Sequence, residues 1–202
     1  MGVERGRDMQ DTKVYLRAFE PDDYQKINAW RRDEEVYRLA GGNKYFVSAE
    51  RDRQWVLDKI KNNQSEIYLA MCLVENDLMI GYVSLADIDY RNSRAEWSGI
   101  VIGDEQYRGQ GYATYAIYLL LEYAFDELGL HRVSGSWLAE NTTSLFVGKM
   151  MGFRQEGVLR DYVYKTGKRH DMIIMSMLRN EFEQLRTRYA KQTAQITADT
   201  SS

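Results

Sequence analysis

The chain of 202 residues has one cysteine, one proline and two histidines. With Cys72 alone no intrachain disulfide can form, which excludes a disulfide-stapled secreted scaffold. Cys72 lies in the apolar run IYLAMCLV, where buried packing outranks nucleophilic chemistry. No run of 18 apolar residues occurs, so no helix is long and apolar enough to span a membrane. The polar start MGVERGRDMQD lacks the apolar stretch of a signal peptide, and the expectation is a cytoplasmic protein. The net charge of −3 argues against a nucleic-acid partner but leaves room for a local anion site. No histidine, cysteine or acid cluster has the spacing of a metal site. His131 opens a strand, and His170 sits in the basic turn Lys168-Arg169-His170, read as solvated.

What is present is ordinary for one globular domain with a core: 44% hydrophobic and 28% charged residues. Residues 1–12 read as a flexible N-terminus, 13–178 as one domain, and 179–202 as a C-terminal helix with a polar tail. Lys13 to Phe19 alternates like a strand, and Pro21 opens a helix with acids in its first turn. Residues 34–47, containing Gly41 and Gly42, read as irregular. Ser48 is an N-cap for a second helix, with Trp55, Leu57 and Ile60 facing inward. Strands over 66–74, 78–88 and 95–103 follow. A helix that is apolar nearly all round comes after Gly111, then a strand over 131–138 and a short helix over 141–151. Thr166-Gly167 joins two closing strands in a hairpin. The order β-α-α-β-β-β-α-β-α-β-β predicts a mixed α/β (α+β) sheet of about seven strands with helices on both faces.

The segment YRGQGYAT, Tyr107 to Thr114, stands between a strand and the apolar helix. A helix N-terminus has N–H groups without intrahelical partners, and its dipole favours anions. Gly109 and Gly111 let backbone approach an oxyanion, and Arg108 adds a planar cation suited to phosphate. A Walker loop would need Gly-Lys-Ser/Thr where Gly111-Tyr112-Ala113 stands. A dinucleotide fingerprint would need a third glycine at Thr114. The bland alternative is a structural turn with an exposed arginine.

Arg108 to Ala113, RGQGYA, resembles the Arg/Gln-x-x-Gly-x-Gly/Ala loop of the GNAT superfamily of acyl-CoA-dependent N-acetyltransferases. AEWSGIVIGDEQYRGQGYAT resembles that family's fourth strand and following helix, and ENTTSLFVGKMMGF its Asn-x-x-Ser…Gly-Phe helix. The segment DYVYKTGKRHDMIIMSML is similar to the closing hairpin of the ribosomal-protein N-terminal acetyltransferases, the RimJ/RimL type. YLRAFEPDDY resembles that branch's first strand and helix. The resemblance covers Lys13 to Leu178. It implies the GNAT fold and acetyl-CoA as cosubstrate. The loop from Arg108 through Gly109, Gln110, Gly111, Tyr112 and Ala113 to Thr114 would grip the pyrophosphate. Val101, Ile102 and Gly103 would pair the pantetheine arm, and Asn141 would contact the cofactor.

Acetyl transfer to an amine needs a base, a donor to the oxyanion and a proton source for the thiolate. The resemblance favours Glu96 as base, with Asp171 as runner-up and an ion pair with Arg94 as the structural alternative for Glu96. The oxyanion donor would be an N–H near Ile102. Many family members carry a tyrosine seven residues after the helix asparagine, where this chain has Gly148. The resembled branch assigns the role to the serine here numbered Ser144, with helix capping as the alternative. Trp30, Arg31, Tyr45, Tyr162 and Tyr164 would line the acceptor side, as packing residues or as contacts, with Asp171 beside them. Asp33, Glu34 and Glu35 form an acidic group. The acceptor stays open among a protein N-terminal amine, a polyamine and an amino sugar, and the family tendency to homodimers is the implied assembly. A catalytically silent acyl-CoA-binding module and a phosphate-binding protein of another fold remain the alternatives.

Overall fold

The computed structural model describes residues 13–39, 46–61 and 64–200, with side chains described except at 37–39 and 191–200. The N-terminal dozen, Gly41, Gly42 and Tyr45 lie outside the described residues. Seven strands form one sheet in the order β1-β2-β3-β4-β5-β7-β6. They are β1 (Val14–Ala18), β2 (Ile67–Leu73), β3 (Met79–Asp89), β4 (Arg94–Ile102), β5 (Arg132–Leu138), β6 (Arg154–Lys165) and β7 (Lys168–Leu178). Only β4 and β5 run parallel among the paired strands. The β6–β7 turn uses Thr166 and Gly167 at φ 50° and 83°, the doubly positive geometry of a tight hairpin.

Among the described residues six α-helices accompany the strands: α1 (Tyr24–Arg31), α2 (Glu34–Leu39), α3 (Ala49–Lys61), α4 (Tyr112–Glu122), α5 (Thr142–Met150) and, after β7, α6 (Arg179–Thr200). α2 corrects the reading of 34–47 as wholly irregular. The Asp33 carboxylate accepts the Glu35 N–H at 2.8 Å, and Glu34 and Glu35 favour a first helical turn. Ser48 caps α3 as expected, accepting the Arg51 N–H. α3 buries Asp52 and Val56 and packs Trp55 against the same core, as expected for Trp55, whereas Ile60 is exposed and Leu57 only half-buried. α4 runs into a π-helical turn, Tyr123–Glu127, and α6 continues to Thr200, through most of the stretch expected as a polar tail.

One face of the sheet is covered by α4, α5 and α6 around Trp97, Leu120, Phe125, Val133, Met175 and Phe182. The other face, over β1 to β3, is covered by α1 and α3 around Phe19, Ile27, Trp30 and Val56. Each fully buried apolar side chain contributes about 1.5–3 kcal/mol, so these two layers hold the frame on which the site is mounted. No described helix is long and apolar enough to cross a membrane.

Candidate active site

β4 and β5 are paired only from Arg94–Arg132 to Trp97–Gly135. Beyond that step the strands part. Residue Ser98 is the physical cause on the β4 side: Ser84 pairs with Gly99 and Leu85 with Trp97, so Ser98 is an extra, bulged residue. Its hydroxyl meets Ser84 Oγ at 2.7 Å. After the bulge β4 stays on β3, while β5 stays on β7 through Leu138–Met172. A wedge therefore opens at the carboxyl ends of two parallel strands, the place where open α/β sheets bind ligands. Trp97 and Trp137 span its floor on the helical side, edge to face at 5.3 Å. Trp97 also donates its indole N–H to Gly99 O at 3.1 Å, fixing the peptide beside the bulge. The sequence reading passed over both tryptophans and the bulge.

On the open edge, β4 alternates. The Gly103 N–H is taken by Ile80 O at 2.9 Å on the β3 side. The N–H of Ile102, one residue back, therefore points the other way, into the wedge, while Val101 points to β3. Gly103 itself is covered by Trp30. A Cβ added there would lie 1.9 Å from Trp30 Cε2. Trp30 is buried and bonds Asp104 Oδ1 through its indole N–H at 3.2 Å. It is thus a wall beneath the end of β4.

The loop that follows has its glycines where glycine is needed. Gly109 has φ 71°, and Gly111, the N-cap of α4, has φ 87°. Around both, a Cβ would meet nothing within 4 Å, so the backbone faces open space. Tyr115 N–H closes the first turn on Gly111 O, and the N–H groups of Gly109 to Thr114, with those of Gln110, Tyr112 and Ala113 among them, have no backbone partner among the described residues. Such a row of N–H groups fits a pyrophosphate. Arg108 departs from expectation. Its guanidinium turns back onto Ile102 O (3.2 Å) and Gly103 O (2.6 Å) and pairs with Asp33 at 3.3 Å; the Glu35 N–H first, and then this arginine, hold the Asp33 carboxyl below the usual range. The arginine shapes the loop from behind.

Glu96 lies at the neck of the wedge, one residue before the last paired step, on the face opposite Trp97. It is half-buried and accepts the Ser136 hydroxyl at 3.3 Å. Arg94 pairs with Asp89 instead, so the expected ion-pair alternative is not the arrangement found. Across the wedge Asn141 caps α5, accepting the Ser144 N–H at 3.1 Å. A second helix N-terminus thus faces the same opening as α4. Ser144 is half-buried in the first turn. Gly148 is packed against Met175 and Trp137, whose nearest atoms would stand 2.8 and 3.3 Å from a Cβ. Any side chain here would have to displace the Met175 methyl and press on Trp137.

The expected acceptor residues scatter. Arg31 stacks on Trp55 at 4.4 Å and pairs with fully buried Asp52, which also accepts from Asn28 at 2.7 Å. Asp171 accepts the Asp161 N–H at 2.8 Å inside a wide bulge of β6, and Tyr162 is 63% exposed on that edge strand. Burial pushes the Tyr82 phenol up, against the opposing effect of Arg31. A cleft of about 500 Å³ lies between α1 and the loop, lined by Lys26, Trp30, Asp33, Gly103, Asp104 and Glu105, away from Glu96.

Residues 13–154 match the acetyltransferase (GNAT) domain family. The chain belongs to that family. Its activity is the transfer of an acetyl group to an amine. Spermidine N(1)-acetyltransferase of Escherichia coli K12 is 28% identical over 84% of this chain and 88% of its own length. YdaF of Bacillus subtilis, provisionally named a ribosomal N-acetyltransferase, is 37% identical over 55% of this chain and 60% of its own. The crystal structure of spermidine N-acetyltransferase from Vibrio cholerae with CoA and spermine superposes with a TM-score of 0.77 at 24% identity, covering 85% of this chain and 99% of that one. At that identity the likeness is one of fold.

Proposed function

We propose that this GNAT acetyltransferase binds acetyl-CoA along the wedge and acetylates the primary amine of a small polyamine. The observation that carries the site is the convergence of two helix N-termini and the free N–H of Ile102 on an opening with Glu96 at its neck. The fit to the cofactor rests on the unpartnered N–H row of Gly109 to Thr114 and the open space over both glycines. The domain comprises 13–178, with α6 appended.

Each residue then has a task. Glu96 takes a proton from the incoming ammonium, directly or through water, which frees the lone pair to attack the thioester carbon; such a base is worth about 10²–10⁴ in rate. Ile102 N–H stabilises the oxygen that gains charge. As the carbon–sulfur bond breaks, Ser144 relays a proton to the departing thiolate, a modest demand on a thiol of pKa about 8.5. Asn141 orients that hydroxyl by capping its turn.

The match over 88% of a spermidine acetyltransferase's length supports the polyamine acceptor. A peptide N-terminal amine, the RimJ/RimL-type acceptor, is the second reading, favoured by the higher but partial identity to YdaF. Trp30, Arg31, Tyr162 and Asp171 are retained as shaping residues of the acceptor side. The working form is a cytoplasmic homodimer, which light scattering on the purified chain checks. The test of function is thiol release from acetyl-CoA with spermidine, a Ser-starting peptide and an amino sugar. Turnover confined to spermidine supports the reading, and turnover confined to the peptide replaces it with the second.

A further inference from the structure

His170 is buried, contrary to its reading as a solvated turn residue, with 7% of its surface exposed. Val163 of β6 pairs with it across the hairpin, and Lys165, itself buried, lies two residues further along that strand. Its Nε2 lies 3.1 Å from Lys165 O. A carbonyl only accepts, so Nε2 carries a hydrogen. The other nitrogen, Nδ1, is buried and lies 3.2 Å from Glu140 Oε1 without the alignment of a hydrogen bond. In a neutral ring of that tautomer Nδ1 is an acceptor facing a carboxylate, and two acceptors at that distance repel. One added proton turns the contact into a charge-assisted hydrogen bond.

We infer that His170 and Glu140 form a proton-operated latch that positions the cofactor side of the wedge, an inference that rests on the proposed role of Asn141. The latch joins the β6–β7 hairpin to the β5–α5 junction that carries Asn141. His170 stands near the tip of the β6–β7 hairpin, and Glu140 directly precedes Asn141. The hairpin already touches this junction through Ala139 N–H on Asp171 O at 3.0 Å. Glu140 is 65% exposed, so a small side-chain turn completes the bond. From there the chain of contacts runs through Asn141 to the Ser144 N–H. The charged groups around the ring set the balance. Glu140 favours the protonated ring. Lys165, on the β6 strand beside the ring's partner Val163, opposes it, and Lys168 competes for the same carboxylate at 3.5 Å, whereas Arg169 turns away onto the Tyr164 ring and Asp161 O. Asp171, on the next residue, faces the Asp161 N–H. Protonation of Nδ1 closes the latch and loss of that proton opens it.

The chain's two histidines make the experiment clean. Imidazole nitrogens and backbone amides are followed by NMR from about pH 5.5 to about pH 8 in wild type, His170→Gln and Glu140→Gln. Glu140 is exposed, so its variant folds even if His170→Gln does not. In wild type, Nδ1 of His170 gains a proton as pH falls, and the Ser144 amide shifts with the same midpoint. In either variant the Ser144 shift disappears. The affinity for acetyl-CoA is then compared near pH 6 and pH 8. The cofactor's own phosphate titrates in this range, so the readout is the wild-type ratio against the variants' ratio. We expect wild type to lose about fivefold more affinity on going to the higher pH. A His170 that stays neutral, a Ser144 amide that ignores its titration, or equal ratios in wild type and variants would overturn the latch. If acetyl-CoA binds at neither pH, the reading of the site fails, and the NMR arm alone still decides the latch.

Discussion

Trp30 lies flat where the side chain of residue 103 would have to be, its Cε2 only 1.9 Å from the Cβ that Gly103 lacks. The contact ties α1 to the end of β4, immediately before the anion loop. Gly103→Ala forces the indole or the strand to move, at a cost of about 1–3 kcal/mol. The expected result is a lower melting temperature together with weaker acetyl-CoA binding, read by calorimetry. An unchanged affinity in a folded Gly103→Ala protein would separate Trp30 from the site.

Gly111 is a contrasting case. Nothing crowds it, so Gly111→Val acts through its positive φ alone, at about 1–2 kcal/mol for a left-handed residue. The fold tolerates that. The N–H row does not, and cofactor affinity is expected to fall at least about tenfold with only a small change in melting temperature. Titration calorimetry beside a thermal melt checks the split.

Gly148→Tyr tests whether the missing tyrosine is a vacancy to be filled. The packing of Met175 and Trp137 says it is not. The variant is expected to lose about 1–3 kcal/mol of stability and to gain no turnover. Asn141→Ala is expected to cost about 1 kcal/mol through the lost cap and to raise the KM for acetyl-CoA. Steady-state kinetics with urea unfolding distinguishes the two variants.

Glu156 predicts a pH effect far from the site. Arg132 pairs with it and Ser176 donates to it at 2.7 Å, holding its carboxyl down at about 2 from an ordinary 4.5. A depressed carboxyl stabilises above its unfolded value and loses that contribution as pH falls through the folded one. The Glu156 side chain is 42% exposed, so solvent screens much of the effect. The difference in melting temperature between wild type and Glu156→Gln should hold steady above about pH 5 and shrink toward about pH 2.

Much of this was legible in the sequence because local rules governed it. The loop glycines at 109 and 111, the Ser48 cap and the Thr166-Gly167 turn all follow from backbone conformations that few residues adopt. Glu96 was singled out as a candidate base by family resemblance, and the structure places it at the neck of the wedge. What escaped depends on long-range register. The Ser98 bulge is defined by β3, not by β4's own residues. Trp97 and Trp137 meet only because two strands run parallel and then part. The basic neighbours of His170 concealed its burial, which comes from the hairpin partner strand, where Lys165 O meets Nε2. Arg108 looked like a phosphate ligand because its partners, the carbonyls of Ile102 and Gly103, leave no mark in sequence.

The central claim is that Glu96 serves as the base for acetyl transfer in a site whose cofactor grip lies elsewhere. Thiol release from acetyl-CoA with spermidine, in wild type and Glu96→Gln, alongside acetyl-CoA affinity in both, tests it most directly. The account predicts unchanged affinity and a rate lowered by about 10²–10⁴ in the variant. Full turnover by Glu96→Gln at unchanged affinity would contradict it and move the base to another residue.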